Sequence, residues 1–161
     1  MSDARPGPAR HETQDERADR NFAELLQELR VTQTGVQILF SLLLTLAFTP
    51  RFTTLDSFQR GAYVASLMLA VLATALLLTP AAVHRRLFHE GFKPQIVAVS
   101  SRLAQVGMGV VSLALTGSVL LVMDVVHGRA WGIAAGAFVL LLCAGLWWLL
   151  PRLVKRGVSR S

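Results

Sequence analysis

From residue 31 onward the chain alternates between long uncharged blocks and short charged connections. The uncharged stretches are 31–50, 61–83, 103–123 and 130–150. Each approaches the ~20 residues that cross ~30 Å of hydrocarbon at 1.5 Å per residue. Inside hydrocarbon only helices and closed barrels satisfy their own backbone groups. Barrel strands would alternate polar and apolar residues over about ten positions. These blocks are continuously apolar, so they predict helices, with spans at about 31–50, 60–80, 99–123 and 130–151. Pro50, Pro80 and Pro151 each stand where a span is expected to stop. The competing reading, buried helices of a soluble protein, fails on size, because so short a chain cannot internalise four such blocks.

The first thirty residues follow another pattern. Residues 1–11, with two prolines, a glycine and mixed charges, predict a disordered tail. Thr13 and Glu16 have capping-box spacing. Beyond them Phe22, Leu25, Leu26 and Leu29 fall at i, i+3, i+4 and i+7, one apolar stripe among charged neighbours. The segment 12–30 thus predicts an amphipathic cytoplasmic helix whose register leaves open a continuous run into the first span. The fold class is all-α: a four-helix transmembrane bundle (31–151), an amphipathic helix before it and a basic tail (152–161) after it.

Composition sharpens this picture. Of 161 residues 53% are hydrophobic and 16% charged, against about 25% charged in average soluble domains. The formal charge of +6 is uneven. Residues 1–30 carry seven acids and five arginines, net −2, and the rest carry eleven bases and three acids, net +8. The bases border apolar blocks and form no stripe on a soluble face, so nucleic acid is excluded as a partner. They suit anionic lipid headgroups instead. The lone Cys143 excludes an intrachain disulfide. No stretch resembles a cleavable signal, so the first span is expected to serve as an uncleaved anchor. Fourteen arginines against two lysines fit a GC-rich bacterial genome.

Lys and Arg number five before the first span, then two, four and one in the connections, and four after the last. Alternate sides sum to thirteen against three, so the positive-inside rule puts both termini in the cytoplasm of a bacterial membrane. Tyr63 and Trp131 are expected at the outer headgroups, Trp147 and Trp148 at the inner ones.

Two near-repeats point to a duplicated hairpin: Arg30-x-x-Gln33-x-Gly35 recurs as Arg102-x-x-Gln105-x-Gly107, and Pro80-x-x-Val83-x-Arg85 as Pro151-x-x-Val154-x-Arg156. Coincidence in an apolar chain is the plainer alternative. Arg30, Gln33, Gln37, Arg102 and Gln105 are the candidate polar set. One reading is a headgroup pocket lined by both copies. The blander one is arginine anchoring and glutamine bridging between spans. Gly128, Gly132 and Gly136 mark a close-packing face, facing either a neighbouring span, with Ser112, Ala114 and Thr116 as the opposing surface, or a second protomer. His84 and His89 are wrongly spaced for two ligands on one helical face, so no metal site is expected. No carboxylate stands near the middle of a span, and no nucleophile set or phosphate loop appears. Neither an enzyme nor a cofactor is expected.

Residues 12–41, from Glu12-Thr-Gln-Asp-Glu-Arg to Gln37-Ile-Leu-Phe-Ser41, resemble the opening of a bacterial family of small four-span membrane proteins catalogued as a domain of unknown function. The resemblance continues through Phe52, Phe58-Gln59-Arg60 and 80–93, to about residue 155. It implies four spans and supplies no catalytic residues. Some members carry a transferred sodium/proton antiporter label, for which the missing midplane carboxylate gives no support. The function classes left are three. The first is a non-enzymatic scaffold or accessory protein, docking on lipid or a partner through 12–30. The second is a small oligomeric transporter or channel. The third is an anionic-lipid-binding membrane protein.

Overall fold

The computed structural model describes residues 14–87, 93–149 and 152. Helix α1 covers Gln14–Ala47, α2 Ser57–Leu87, α3 Lys93–His127 and α4 Arg129–Ala144. A 3-10 turn, Pro50–Thr54, joins α1 to α2, and a π-helical turn, Gly145–Leu149, extends α4. No strand occurs among the described residues. The disordered-tail assignment, the Thr13 cap, His89, Pro151 and the basic tail beyond Arg152 lie outside them.

Four segments are long and apolar enough to cross a membrane: Ala23–Ala47, Ser57–Ala82, Val99–His127 and Arg129–Leu149. That is the signature of a multi-pass membrane protein, and the number is the expected four, with the first segment starting eight residues before the expected 31. Helix α1 passes through residue 30 without a break. Of the predicted stripe, Leu29 is buried and Leu25 packs against the same cluster, so its later part faces the bundle.

Most buried positions on α2 and α3 follow a three–four spacing. On α2 they are Tyr63, Ser66, Ala70, Ala73, Leu77 and Pro80. On α3 the seam positions are Ser100, Ala104, Gly107, Val111, Ala114, Ser118 and Leu121, with Ser112 and Asp124 buried outside that spacing. This is the heptad seam of left-handed helix packing. Its alanines, serines and glycine bring the backbones close, the main source of helix association where hydrophobic drive is absent. A Cβ on Gly107 would lie 2.9 Å from Leu77 Cδ2, and one on Gly117 would strike the Ser66 hydroxyl. Leu29, Val36 and Leu43, seven apart, are the buried positions of α1 and complete a three-helix core. Two buried hydroxyls close on their own helices, Ser66 donating to Ala62 O and Ser118 to Ala114 O, whereas the buried Ser100 hydroxyl has no partner among the described residues.

The contacts fix an up-down order. Gln33 meets α2 at Leu77 and Leu43 meets it at Tyr63, so α1 and α2 are antiparallel. Gly107–Leu77 and Gly117–Ser66 say the same of α2 and α3, and Gly132–Asp124 and Gly109–Trp148 of α3 and α4. One end of the bundle, the loop end, holds the 48–56 connection and Gly128. The other, the terminal end, holds the first and last described residues. Helix α4 packs on α3 and on no other helix, so the bundle is open on that side.

Two expectations need correction. Pro80 does not end its span; it is fully buried inside α2, which continues to Leu87. Proline denies the Leu76 carbonyl its donor and crowds the preceding turn. Spanning helices tolerate this where the surroundings serve the freed backbone groups; Gln33 bonds the adjacent Leu77 carbonyl in the same turn. Tyr63 is not a lipid-facing anchor. It is buried with Leu43 and Leu121, and its ring meets Phe52 edge-on at 5.0 Å. Trp131 is 61% exposed, as a surface anchor should be.

Candidate functional site

The loop end is a closed polar network. Asp56 opens α2 as a capping box. The Gln59 N–H donates to Asp56 Oδ1 at 2.8 Å and the Asp56 N–H to Gln59 Oε1 at 3.0 Å, which satisfies two orphan donors of the helix start. Arg129, the first residue of α4, reaches Asp56 Oδ2 at 2.6 Å and Asp124 Oδ2 at 2.9 Å. Asp124 Oδ2 has no hydrogen-bond partner among the described residues, so its contact with the Arg129 Nε–H is an ion pair without a formed hydrogen bond. Gln59 Nε2 donates to Asp124 Oδ1 at 3.4 Å. The Arg129 guanidinium also lies 3.9 Å over the Phe58 ring, within cation–π range. The Asp124 side chain is only 3% exposed, and removing a partner from so buried an ion is costly. The remaining loop-end guanidiniums are engaged too. Arg51 donates to Val125 O at 3.3 Å and Arg60 to Thr53 O at 3.2 Å.

Glycine makes this network possible. A Cβ on Gly132 would lie 2.7 Å from Asp124 Cβ and 2.9 Å from Leu120 O. One on Gly136 would lie 3.2 Å from Leu120 Cβ. The predicted close-packing face therefore operates within the chain, between α4 and α3. Its opposing surface is Leu120 and Asp124 rather than Ser112, Ala114 and Thr116. Gly128 does not belong to it. A Cβ there would meet nothing, and its φ of 94° makes it the turn residue between the two helices.

The candidate Arg/Gln set is not gathered into one pocket. Gln33 Nε2 donates to the Leu77 carbonyl at 2.9 Å. This polar bond joins α1 to α2 at the turn that Pro80 crowds. Gln37 is exposed on α1, at the edge of a groove of about 360 Å³ bounded by Phe40, Val71, Thr74, Ala75 and Leu78. Gln105 turns the other way, toward α4. It lines a groove of about 280 Å³ with Met108, Trp147, Trp148 and Arg152. A second groove, about 350 Å³, shares Trp148 and continues along α3 and α4 between Val106, Gly109, Leu113, Leu140 and Ala144. Gly109 leaves room for the indole, since a Cβ there would sit 3.6 Å from Trp148 Cζ2. Arg30 and Arg102 are exposed. Among the described residues Arg30, Arg102, Arg152 and the amides of Gln37 and Gln105 have neither hydrogen bond nor ion pair.

The repeat-matched positions also differ in surroundings. Gly35 is open where Gly107 is tight against Leu77, and Gln33 is bonded where Gln105 is not. No group of three potential metal ligands occurs among the described residues; the side chains of His84 and His89 are not among them. The Asp56, Gln59, Asp124 and Arg129 network was not anticipated. Its one visible signal was Asp56-Ser-Phe-Gln59, a capping-box pattern just before an apolar block.

Fold and surface together define a small multi-pass membrane protein whose loop-end guanidiniums are engaged and whose Arg30, Arg102 and Arg152 guanidiniums are not, among the described residues. The chain belongs to a family of unknown function, DUF6328, whose profile matches residues 11–151. No curated protein and no solved structure matches it.

Proposed function

We propose that the protein is a non-enzymatic accessory or scaffold protein of the bacterial cytoplasmic membrane, with both termini cytoplasmic and α1 as its docking element. The observation that carries this reading is the uncovered face of α1. Thr34, Gln37, Ser41 and Thr45 are exposed at spacings of three and four, on one side of the helix. The three hydroxyls donate to carbonyls four residues back: Arg30, Gln37 and Ser41. The Gln37 amide has no such outlet. It stands seven residues beyond Arg30, about 10 Å along the helix axis. An amide at that depth gains from a partner helix that bonds it. Helix α1 also has 34 residues, about 51 Å of helix, so that some 20 Å extends past the hydrocarbon. Its projecting part offers Arg17, Arg20, Glu24 and Glu28 at the surface. A transporter reading lacks comparable support, because the acid buried in α3, Asp124, is tied to Arg129.

A photo-crosslinking side chain at position 37 or 41, activated in native membranes, tests the proposal. The expected result is one adduct of defined mass, absent when the probe stands at Phe138 on the lipid-facing side of α4. Deleting residues 1–29 should leave insertion intact and weaken that adduct. Equal, diffuse labelling from 37 and 138 would defeat the docking role. So would ion flux in proteoliposomes that disappears in Gln33→Leu.

A further inference from the structure

We infer that the α3–α4 groove at the terminal end is a binding site for one anionic phospholipid, with its phosphate at Arg152 and Gln105 and an acyl chain lying toward Ala144 and Leu140. Three independent observations place it there.

The first is shape and lining. Two grooves meet at Trp148, one of them polar-mouthed and the other apolar. Together they make an amphiphilic slot, polar where a headgroup lies and apolar where a chain lies. Indole rings such as those of Trp147 and Trp148 favour the headgroup boundary.

The second is unmet hydrogen-bonding capacity. Arg152 and Gln105 face the groove with no protein partner among the described residues, and Arg102 stands one turn from Gln105 on the same helix. A guanidinium and an amide present donors only a phosphate or carboxylate would fully use. At the loop end every described guanidinium has found a carboxylate or a carbonyl. The vacancy at the terminal end is therefore a local property, not the general habit of arginine in this chain. Attraction of juxtamembrane arginine to anionic lipid supplies the complementary charge.

The third is backbone geometry. The α4 helix changes to a π turn over Gly145–Leu149, the segment that carries both tryptophans. Single π turns within helices are frequent at functional positions. Here the turn sets Trp148 over Gly109 and so forms the wall that the two grooves share.

Tryptophan fluorescence reads this site directly. Trp131→Phe removes the loop-end indole and leaves Trp147 and Trp148 as reporters. The protein is placed in phosphatidylcholine vesicles doped with acyl-brominated phosphatidylglycerol, or with the same fraction of brominated phosphatidylcholine. The anionic lipid should quench preferentially, with a selectivity of about fivefold for each arginine engaged. Arg102→Gln with Arg152→Gln should abolish the selectivity. Ala144→Leu, which fills the apolar slot and keeps both arginines, should reduce it as well. Replacing Lys155, Arg156 and Arg160 by Gln should leave it unchanged. Equal quenching by the two lipids in the parent protein would overturn the site. Selectivity that survives Arg102→Gln/Arg152→Gln, or that vanishes with the tail replacements alone, would assign it to general surface charge and overturn it equally.

Discussion

The two ends of the bundle solve the same electrostatic problem in opposite ways. Both place arginines where spans leave the hydrocarbon. At the loop end Arg51, Arg60 and Arg129 are satisfied by Val125 O, Thr53 O and the pair Asp56–Asp124. At the terminal end Arg30, Arg102 and Arg152 have no described protein partner. The loop end has short connections, so acids carried on α2 and α3 lie within reach of α4. At the terminal end Glu24 and Glu28 are exposed on α1, and no described acid pairs with Arg30, Arg102 or Arg152. The first end is built to hold itself together, and the second to be completed by something else. A count of charges per connection misses this distinction, because it treats every arginine as a topology marker.

The comparison can be broken most severely at the glycine that lets the loop end close. Gly132→Leu would drive a side chain into Asp124 Cβ and the Leu120 carbonyl. Backbone cannot yield there as a flexible side chain would, so the expected loss is about 3 kcal/mol, the upper part of the overpacking range. Gly128→Leu tests the turn instead of the packing face, since its cost comes from the φ of 94°. Gly35→Leu, where a Cβ meets nothing, should be nearly silent in the same unfolding assay. A smaller effect is expected midway between the ends. Gln33→Leu removes the bond to Leu77 O and should cost about 1 kcal/mol.

Much of the fold was legible. Four uncharged blocks indicated four spans, because hydrocarbon leaves a chain few alternatives, although the first apolar segment begins at Ala23, eight residues before the uncharged block. The three–four spacing of Ala, Ser and Gly on α2 and α3 was present in the sequence as the packing seam. Pro80 was misread because a proline near the end of an apolar block suggests a stop, whereas α2 carries it, fully buried, on to Leu87. Tyr63 was placed at the lipid boundary by residue type, yet Phe52 and Leu43 cover it. The Arg/Gln pairs looked equivalent in spacing. They diverge because α1 borders α2 and α3 whereas α4 borders α3 alone, which sends Gln33 and Gln105 to different helices. Asp124 lies just outside the third uncharged block and drew no assignment. Its role depends on Gly132 admitting α4 closely enough for Arg129 to meet it.

The direct test of one closed and one open end is reversible unfolding in lipid nanodiscs of phosphatidylcholine, with and without phosphatidylglycerol. Arg129→Gln should lose about 2 kcal/mol in either lipid, less than a fully buried pair because the guanidinium is partly exposed. Arg102→Gln/Arg152→Gln should match the parent protein in phosphatidylcholine alone and forfeit the stabilisation that phosphatidylglycerol gives the parent. If that double variant is as unstable as Arg129→Gln without anionic lipid, or still gains from it, the two ends do not differ as described.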